Sequence, residues 1–257
     1  MPFLLSLPDL PWYALAAVPL VVLLAYTIFG ATGFGSSIVE VPALAHIFPL
    51  TFAVPLATSL DAFAAGATSL RLRRLVLWRE VLRLLPPILV GIALGATLLL
   101  NLPRGPAMLA LGIFVTGYGS WVLSGPRGLR RAPGWLAWPI GAFGGVFSVM
   151  FGTGGPIFMV FLSARIADKA ALRATSAAIV TFSVWIRFIL FAATGLLLHA
   201  QLITLAVLLL PVMALGLRLG NRLHHALSRA GVLRLIAALL VVNGAALVLR
   251  AVELMRT

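Results

Sequence analysis

The sequence contains no cysteine. Disulfides, thiolate metal sites and cysteine nucleophiles are therefore excluded. Charge is also scarce. Only 10% of the residues are charged and only six are acidic, where a soluble domain of this size carries about 25% charged residues. What replaces charge is hydrocarbon, with 62% of residues hydrophobic. Uncharged runs such as Trp12 to Phe29 and Leu84 to Leu100 are each about 17 or 18 residues long, enough for a helix to cross most of a ~30 Å hydrocarbon core. Lipid offers the backbone no hydrogen bonds, so a spanning chain is either helical or a closed barrel. A barrel needs short alternating strands. These runs are apolar throughout and rich in Leu and Ala, which reads as helix. The expectation is an all-α, polytopic integral membrane protein with about 8–10 transmembrane helices, broken or re-entrant segments included.

Ten hydrophobic segments stand out, near residues 11–30, 36–50, 54–71, 84–101, 104–124, 135–152, 156–166, 171–195, 200–220 and 231–251. No basic stretch precedes the first apolar run, so no cleaved signal peptide is expected. Net charge is +13, which in a membrane chain reads as topology anchoring rather than nucleic-acid binding. If Arg71 to Arg83 face the cytoplasm, alternate crossing leaves only Arg104, Arg250 and Arg256 outside. Arg187 lies within a span, and every other basic residue falls inside. Both termini then lie on the external face. The short segments either cross or fold back as re-entrant hairpins. The sides of the charged loops are the same in both cases.

The chain also divides into two related halves, 1–131 and 132–257, within a single membrane domain. Gly33-Phe34-Gly35-Ser36-Ser37-Ile38 is followed by Ala57-Thr58-Ser59, and Gly152-Thr153-Gly154-Gly155-Pro156-Ile157 is followed by Ala174-Thr175-Ser176. Five segments per half is an odd number, which inverts the second half relative to the first. This is the inverted-repeat plan of many secondary transporters, and paired glycine breaks are its best pointer to a binding site. A broken helix exposes backbone N–H groups at the start of the next half-helix, where the dipole favours an anion. Gly33, Gly35, Gly152, Gly154 and Gly155 let the backbone approach a ligand closely. Ser36, Ser37, Thr153, Thr58, Ser59, Thr175 and Ser176 offer hydroxyls. Arg187 offers either positive charge for an oxyanion or a side chain that snorkels to the outer surface. Glu40 and Asp61 either carry a proton, as intramembrane acids do in transporters, or pair with Arg187. His46 reads as an interfacial residue, and Asn101, Asn221 and Asn243 as helix-end or packing residues.

These glycine-rich segments resemble the TauE/SafE family of bacterial sulfite exporters and sulfonate permeases. The resemblance rests on Gly30 to Pro42, with Gly33, Gly35 and Pro42. In the second half it rests on Gly144 to Pro156, with Gly152, Gly154, Gly155 and Pro156. The two Ala-Thr-Ser elements fit as well, and the layout matches over the whole chain. The first motif departs from the family's fuller glycine run at Phe34 and Ser36. The resemblance implies a secondary transporter in the bacterial inner membrane that moves small sulfur-containing anions, such as sulfite or sulfoacetate, with no cofactor and no enzymatic activity. Its partners would be the anion and membrane lipid; a homo-oligomer is compatible with the sequence. Three rivals remain. A channel needs a continuous polar path. An intramembrane serine hydrolase needs a base near Ser36 or Ser37, and only His46 is near in sequence, with no Gly-x-Ser-x-Gly elbow. A scaffold leaves the paired glycine breaks without a purpose.

Overall fold

The computed structural model describes residues 12–32, 35–124, 132–223 and 229–256. Among these residues the chain forms ten α-helices and no strand: α1 (Trp12–Thr32), α2 (Ser36–Leu44), α3 (Leu50–Leu72), α4 (Trp78–Asn101), α5 (Arg104–Leu123), α6 (Ala137–Phe151), α7 (Gly154–Ser163), α8 (Lys169–Ala193), α9 (Ala200–Leu223) and α10 (Arg229–Arg256). Six helical stretches are long and apolar enough to cross a membrane. Large apolar side chains such as Leu15, Leu94, Ile113, Val207 and Leu249 are exposed. Water would penalise that surface and lipid does not.

The helices match the ten hydrophobic segments, with two kinds of shift. α4 starts at Trp78 rather than near 84 because its first turns carry Arg79, Glu80 and Arg83, charged residues that an apolar-run criterion rejects. α10 likewise extends through Arg250 and Glu253 to Arg256. The short segments fold back rather than cross. α7 has ten residues, about 15 Å at helical rise and half of a ~30 Å core. A Cβ on Gly144, before the break, would collide with the ring of Phe158 after it. α6 and α7 therefore lie side by side, as a re-entrant hairpin. α2 packs on α1 in the same way.

Helix pairing is nearly unchanged when α1–α5 is exchanged for α6–α10. α1 packs on α9 as α6 packs on α4. α2 packs on α3 as α7 packs on α8, and α3 meets α9 as α8 meets α4. The pairs α3–α8 and α5–α10 map onto themselves. Three of these contacts, α1–α9, α4–α6 and α5–α10, bring backbone against backbone. A Cβ on Gly30 would stand 2.6 Å from Leu217 O, joining α1 to α9, and one on Gly91 would strike Ala142 O, joining α4 to α6. Such close approach suits helix association in lipid, which relies on packing rather than water exclusion.

The charged ends segregate. At one end Glu80 of α4 accepts from Arg165 Nε and Nη2 at 2.8 and 2.9 Å and from Arg83 Nη1 at 2.9 Å, and Arg165 Nη1 donates to Ala132 O at 2.8 Å. The start of α4, the α7–α8 loop and the chain before α6 thus share one face, as the basic-residue count expects of the inner side. At the other end His46 Nε2 lies 3.0 Å from Asn243 Oδ1, and Arg250 Nη1 donates to His46 O at 2.6 Å. Arg127, Arg130, Arg131, His224 and His225 lie outside the described residues.

Candidate functional site

The two hairpin tips meet at the centre of the molecule, beside the crossing of α3 and α8. Glycine makes both tips possible. Gly35 caps α2 at φ 94° and Gly152 ends α6 at φ 71°, left-handed values that side chains other than glycine rarely take. Gly152 is also pressed against the first half, where a Cβ would lie 2.7 Å from Ser37 Cβ and 3.5 Å from Arg187 Nη1. Between the tips is a cavity of about 20 Å³, room for one water-sized guest. The site is narrow in this conformation.

Gly35, Ser36, Ser37, Asp61, Gly152, Thr153, Gly155 and Arg187 all line this cavity. Their hydrogen bonds divide it into two chemically different sides. On the first side Asp61, 4% exposed on α3, accepts three hydroxyls. Ser36 Oγ donates to Oδ1 at 2.6 Å, Tyr26 OH donates to Oδ1 at 2.8 Å, and Ser37 Oγ donates to Oδ2. A carboxylate is an acceptor-only group with lone pairs for all three. Each such bond to a charged group contributes about 1.5–3 kcal/mol. Asp61 thus sits, with its oxygens engaged, beside the N-terminal, dipole-positive end of α2.

The second side holds no acid. Arg187, 2% exposed, enters from α8 and donates from Nη1 to Ser148 O at 2.6 Å, while its Nε has no partner. The residue is buried rather than snorkelling. Among the described residues its guanidinium makes no ion pair with Asp61 or Glu40. Thr153 Oγ1, 1% exposed, also lacks a partner, and the first-turn amides of α7 have no intrahelical acceptor. Ser148 and Ser183 hydrogen bond at 2.7 Å and brace α6 against α8 below the guanidinium.

The remaining predicted residues fall outside the cavity. Gly154 is packed on Gly144 O, where a Cβ would stand at 2.7 Å. Thr58 is wholly buried, and its hydroxyl is unpartnered. Ser59 donates to Pro55 O at 2.9 Å and Ser176 to Met159 Sδ at 3.4 Å. Thr175 Oγ1 accepts from Leu77 N at 3.0 Å, which tethers the start of α4 to α8. Glu40 is 0% exposed with neither carboxyl oxygen partnered, within electrostatic range of Asp61 and Tyr26. Gly33 lies outside the described residues. Sequence reasoning missed Tyr26, although a phenol within an apolar span needs a partner for its hydroxyl. It also missed Ser148, whose role is carried by a backbone carbonyl that no sequence pattern marks.

A narrow, paired-glycine, arginine-bearing cavity in a ten-helix membrane bundle has relatives. The profile of the sulfite exporter TauE/SafE family matches residues 18–247. The chain belongs to the TauE/SafE family. It is also 30% identical over 175 residues, 68% of this chain and 73% of the relative, to the probable inner membrane transporter protein TsaS of Comamonas testosteroni. No solved structure matches significantly. The protein is therefore a multi-pass inner-membrane transporter of the TauE/SafE type.

Proposed function

We propose that this TauE/SafE transporter carries small sulfur-containing anions, sulfite or sulfonates such as sulfoacetate, through the cavity between the two hairpin tips. The observation that carries this reading is Arg187, a guanidinium 2% exposed, facing the cavity with its Nε unpartnered. A buried charge without full compensation is costly, and an oxyanion supplies what is missing. The planar fork of Arg187 suits two oxygens of a sulfonate or sulfite. The amide end of α7 and the Thr153 hydroxyl offer further donors on the same side. Asp61 already stands beside the corresponding end of α2, so the mobile anion is assigned to the second tip.

Proton coupling is assigned to Glu40. Asp61 is held by three hydroxyls, while Glu40 is equally buried with neither oxygen bonded. A carrier also fits better than a hydrolase. Ser36 and Ser37 both donate to a carboxylate, and the one nearby histidine, His46, is bound to Asn243.

The test is thermal stabilisation of the purified protein by sulfite, sulfate, sulfoacetate, taurine, acetate and chloride, paired with uptake into proteoliposomes. Stabilisation by sulfite or a sulfonate is expected, with a loss of at least about tenfold in apparent affinity for Arg187→Ala, or ~1.4 kcal/mol. Arg187→Lys should recover part of it, keeping charge and losing the fork. Stabilisation by acetate alone would move the substrate class to carboxylates. No response to any anion would sink the reading.

A further inference from the structure

The central cavity is too small for any sulfur oxyanion, so some wall must move. Resting on the carrier reading, the structure indicates which wall. α6 cannot move readily, because its backbone touches that of α4 where a Cβ on Gly145 would collide with Ile88 O and one on Gly91 with Ala142 O. The first hairpin is also held, since α2 packs on both α5 and α10 and its exit turn is tied to α10 through His46, Asn243 and Arg250. α7 differs. Its inward side faces the central cavity through Gly155 and Pro156. An adjoining side, from Pro156 through Ile157 to Val160, borders a second, surface-open cavity of about 530 Å³. Across that space are Phe114, Gly117 and Tyr118 of α5, and a Cβ on Gly117 would meet nothing within 4 Å. Pro156 lines both cavities. A helix of ten residues thus stands between the narrow site and a space large enough to receive it.

We infer that α7 is the inner gate: it moves toward α5 into the lateral cavity and opens the central site to the face that carries the Glu80–Arg165 cluster. What distinguishes α7 is the space beside it; its own contact with α6, through Gly154 on Gly144 O, is as close as that of α6 with α4 and has to slide when the tip swings. Phe158 rests in the notch left by Gly144, with no side chain interposed. Arg165, two residues beyond α7, is bonded to Glu80 and to Ala132 O, which anchors the far end while the glycine-rich tip swings. The device is one-sided. The space that corresponds to the lateral cavity in the first half is taken by α10.

The absence of cysteine makes the test direct. Val180 lines the central cavity on α8, so Val180→Cys reports access by a membrane-impermeant thiol reagent applied to oriented vesicles from either face. Labelling from the inner face is expected to slow by about tenfold or more when Gly117→Phe fills the lateral cavity, with outer-face labelling unchanged and Gly117→Ala close to the parent. Gly117→Phe should remain folded by size-exclusion chromatography and thermal melting, since the space it enters is open. Equal inner labelling with Gly117→Phe and with the parent would overturn the gate and leave the lateral cavity as a seat for a lipid chain. Slowed labelling from both faces would overturn its one-sidedness. Because labelling needs no substrate, a gate that responds as expected in a protein that binds no sulfur anion would refute the substrate reading and leave the gate standing.

Discussion

The two re-entrant hairpins are built on one plan and do different things. In the first, the tip is saturated: Ser36 and Ser37 spend their hydroxyls on Asp61. In the second, the tip is unsaturated, with Thr153 Oγ1 and the neighbouring Arg187 Nε both lacking a partner. The first is packed against α5 and α10, and the second has a cavity behind its short arm. A repeat supplies two glycine breaks. In this chain one break presents hydroxyls already bound to Asp61 and the other keeps unpartnered donors. Shared backbone geometry therefore does not imply shared chemistry, and the pair is best probed by equivalent changes at both tips.

The largest effect is expected from removing the Asp61 carboxyl. Asp61→Ala strands three buried hydroxyls, Tyr26, Ser36 and Ser37, and should cost about 3 kcal/mol or more, at roughly 1–3 kcal/mol per unsatisfied group. Thermal melting of the purified protein checks this, and Asp61→Asn should lose less. Next come the left-handed glycines of the two hairpin tips. Gly35→Ala meets only Ile38 Cγ2 at 3.7 Å, so its cost is the backbone conformation alone, roughly 1 kcal/mol. Gly152→Ala adds a collision with Ser37 Cβ at 2.7 Å and should be clearly worse in both melting temperature and anion uptake. Equal losses at the two would break the claim that the tips differ in packing.

Glu40→Gln should not lower stability, because the buried carboxyl has no hydrogen bond to lose and the amide carries no charge to bury. It should abolish the response of anion flux to an imposed pH gradient in proteoliposomes. Flux that still follows the gradient would return the proton to Asp61. The smallest effect concerns the clamp on the first hairpin. Burial holds the His46 imidazole below its ordinary pKa, and the Arg250 charge adds to this, against the Asn243 hydrogen bond. The unfolded chain therefore binds the proton more readily. Stability should be full above about pH 6.5 and fall as the pH drops toward the lowered folded value. Melting temperature against pH should show this slope in the parent and lose it in His46→Gln.

Much of the fold was legible because lipid leaves few options. Uncharged runs marked the helices, and the sides of the basic residues anticipated which loops gather around Glu80. The boundary errors fell where helices begin in charge, at Arg79 and Glu80 of α4. The central cavity was legible at Gly35, Ser36, Ser37, Gly152, Thr153, Gly155 and Arg187, since glycine breaks and an intramembrane charge are visible as exceptions in an apolar text. What lines up across space was not. That Ser36 and Ser37 answer Asp61 from another helix, that Thr175 holds the start of α4 rather than facing the cavity, and that Arg187 rests on the carbonyl of Ser148 all depend on how helices cross. No local pattern encodes those crossings.

The glycine contact that joins α1 to α9 bears on how the chain is made. Gly30 meets Leu217 O, and Gly216 would meet Leu23 O at 2.8 Å. Seven helices thus lie between α1 and its closest neighbour along the chain. Until α9 is inserted, α1 must wait in the bilayer with that flank bare. A nascent chain halted before α9 should be recognised as unfinished by membrane quality control, however completely its first five helices have been threaded.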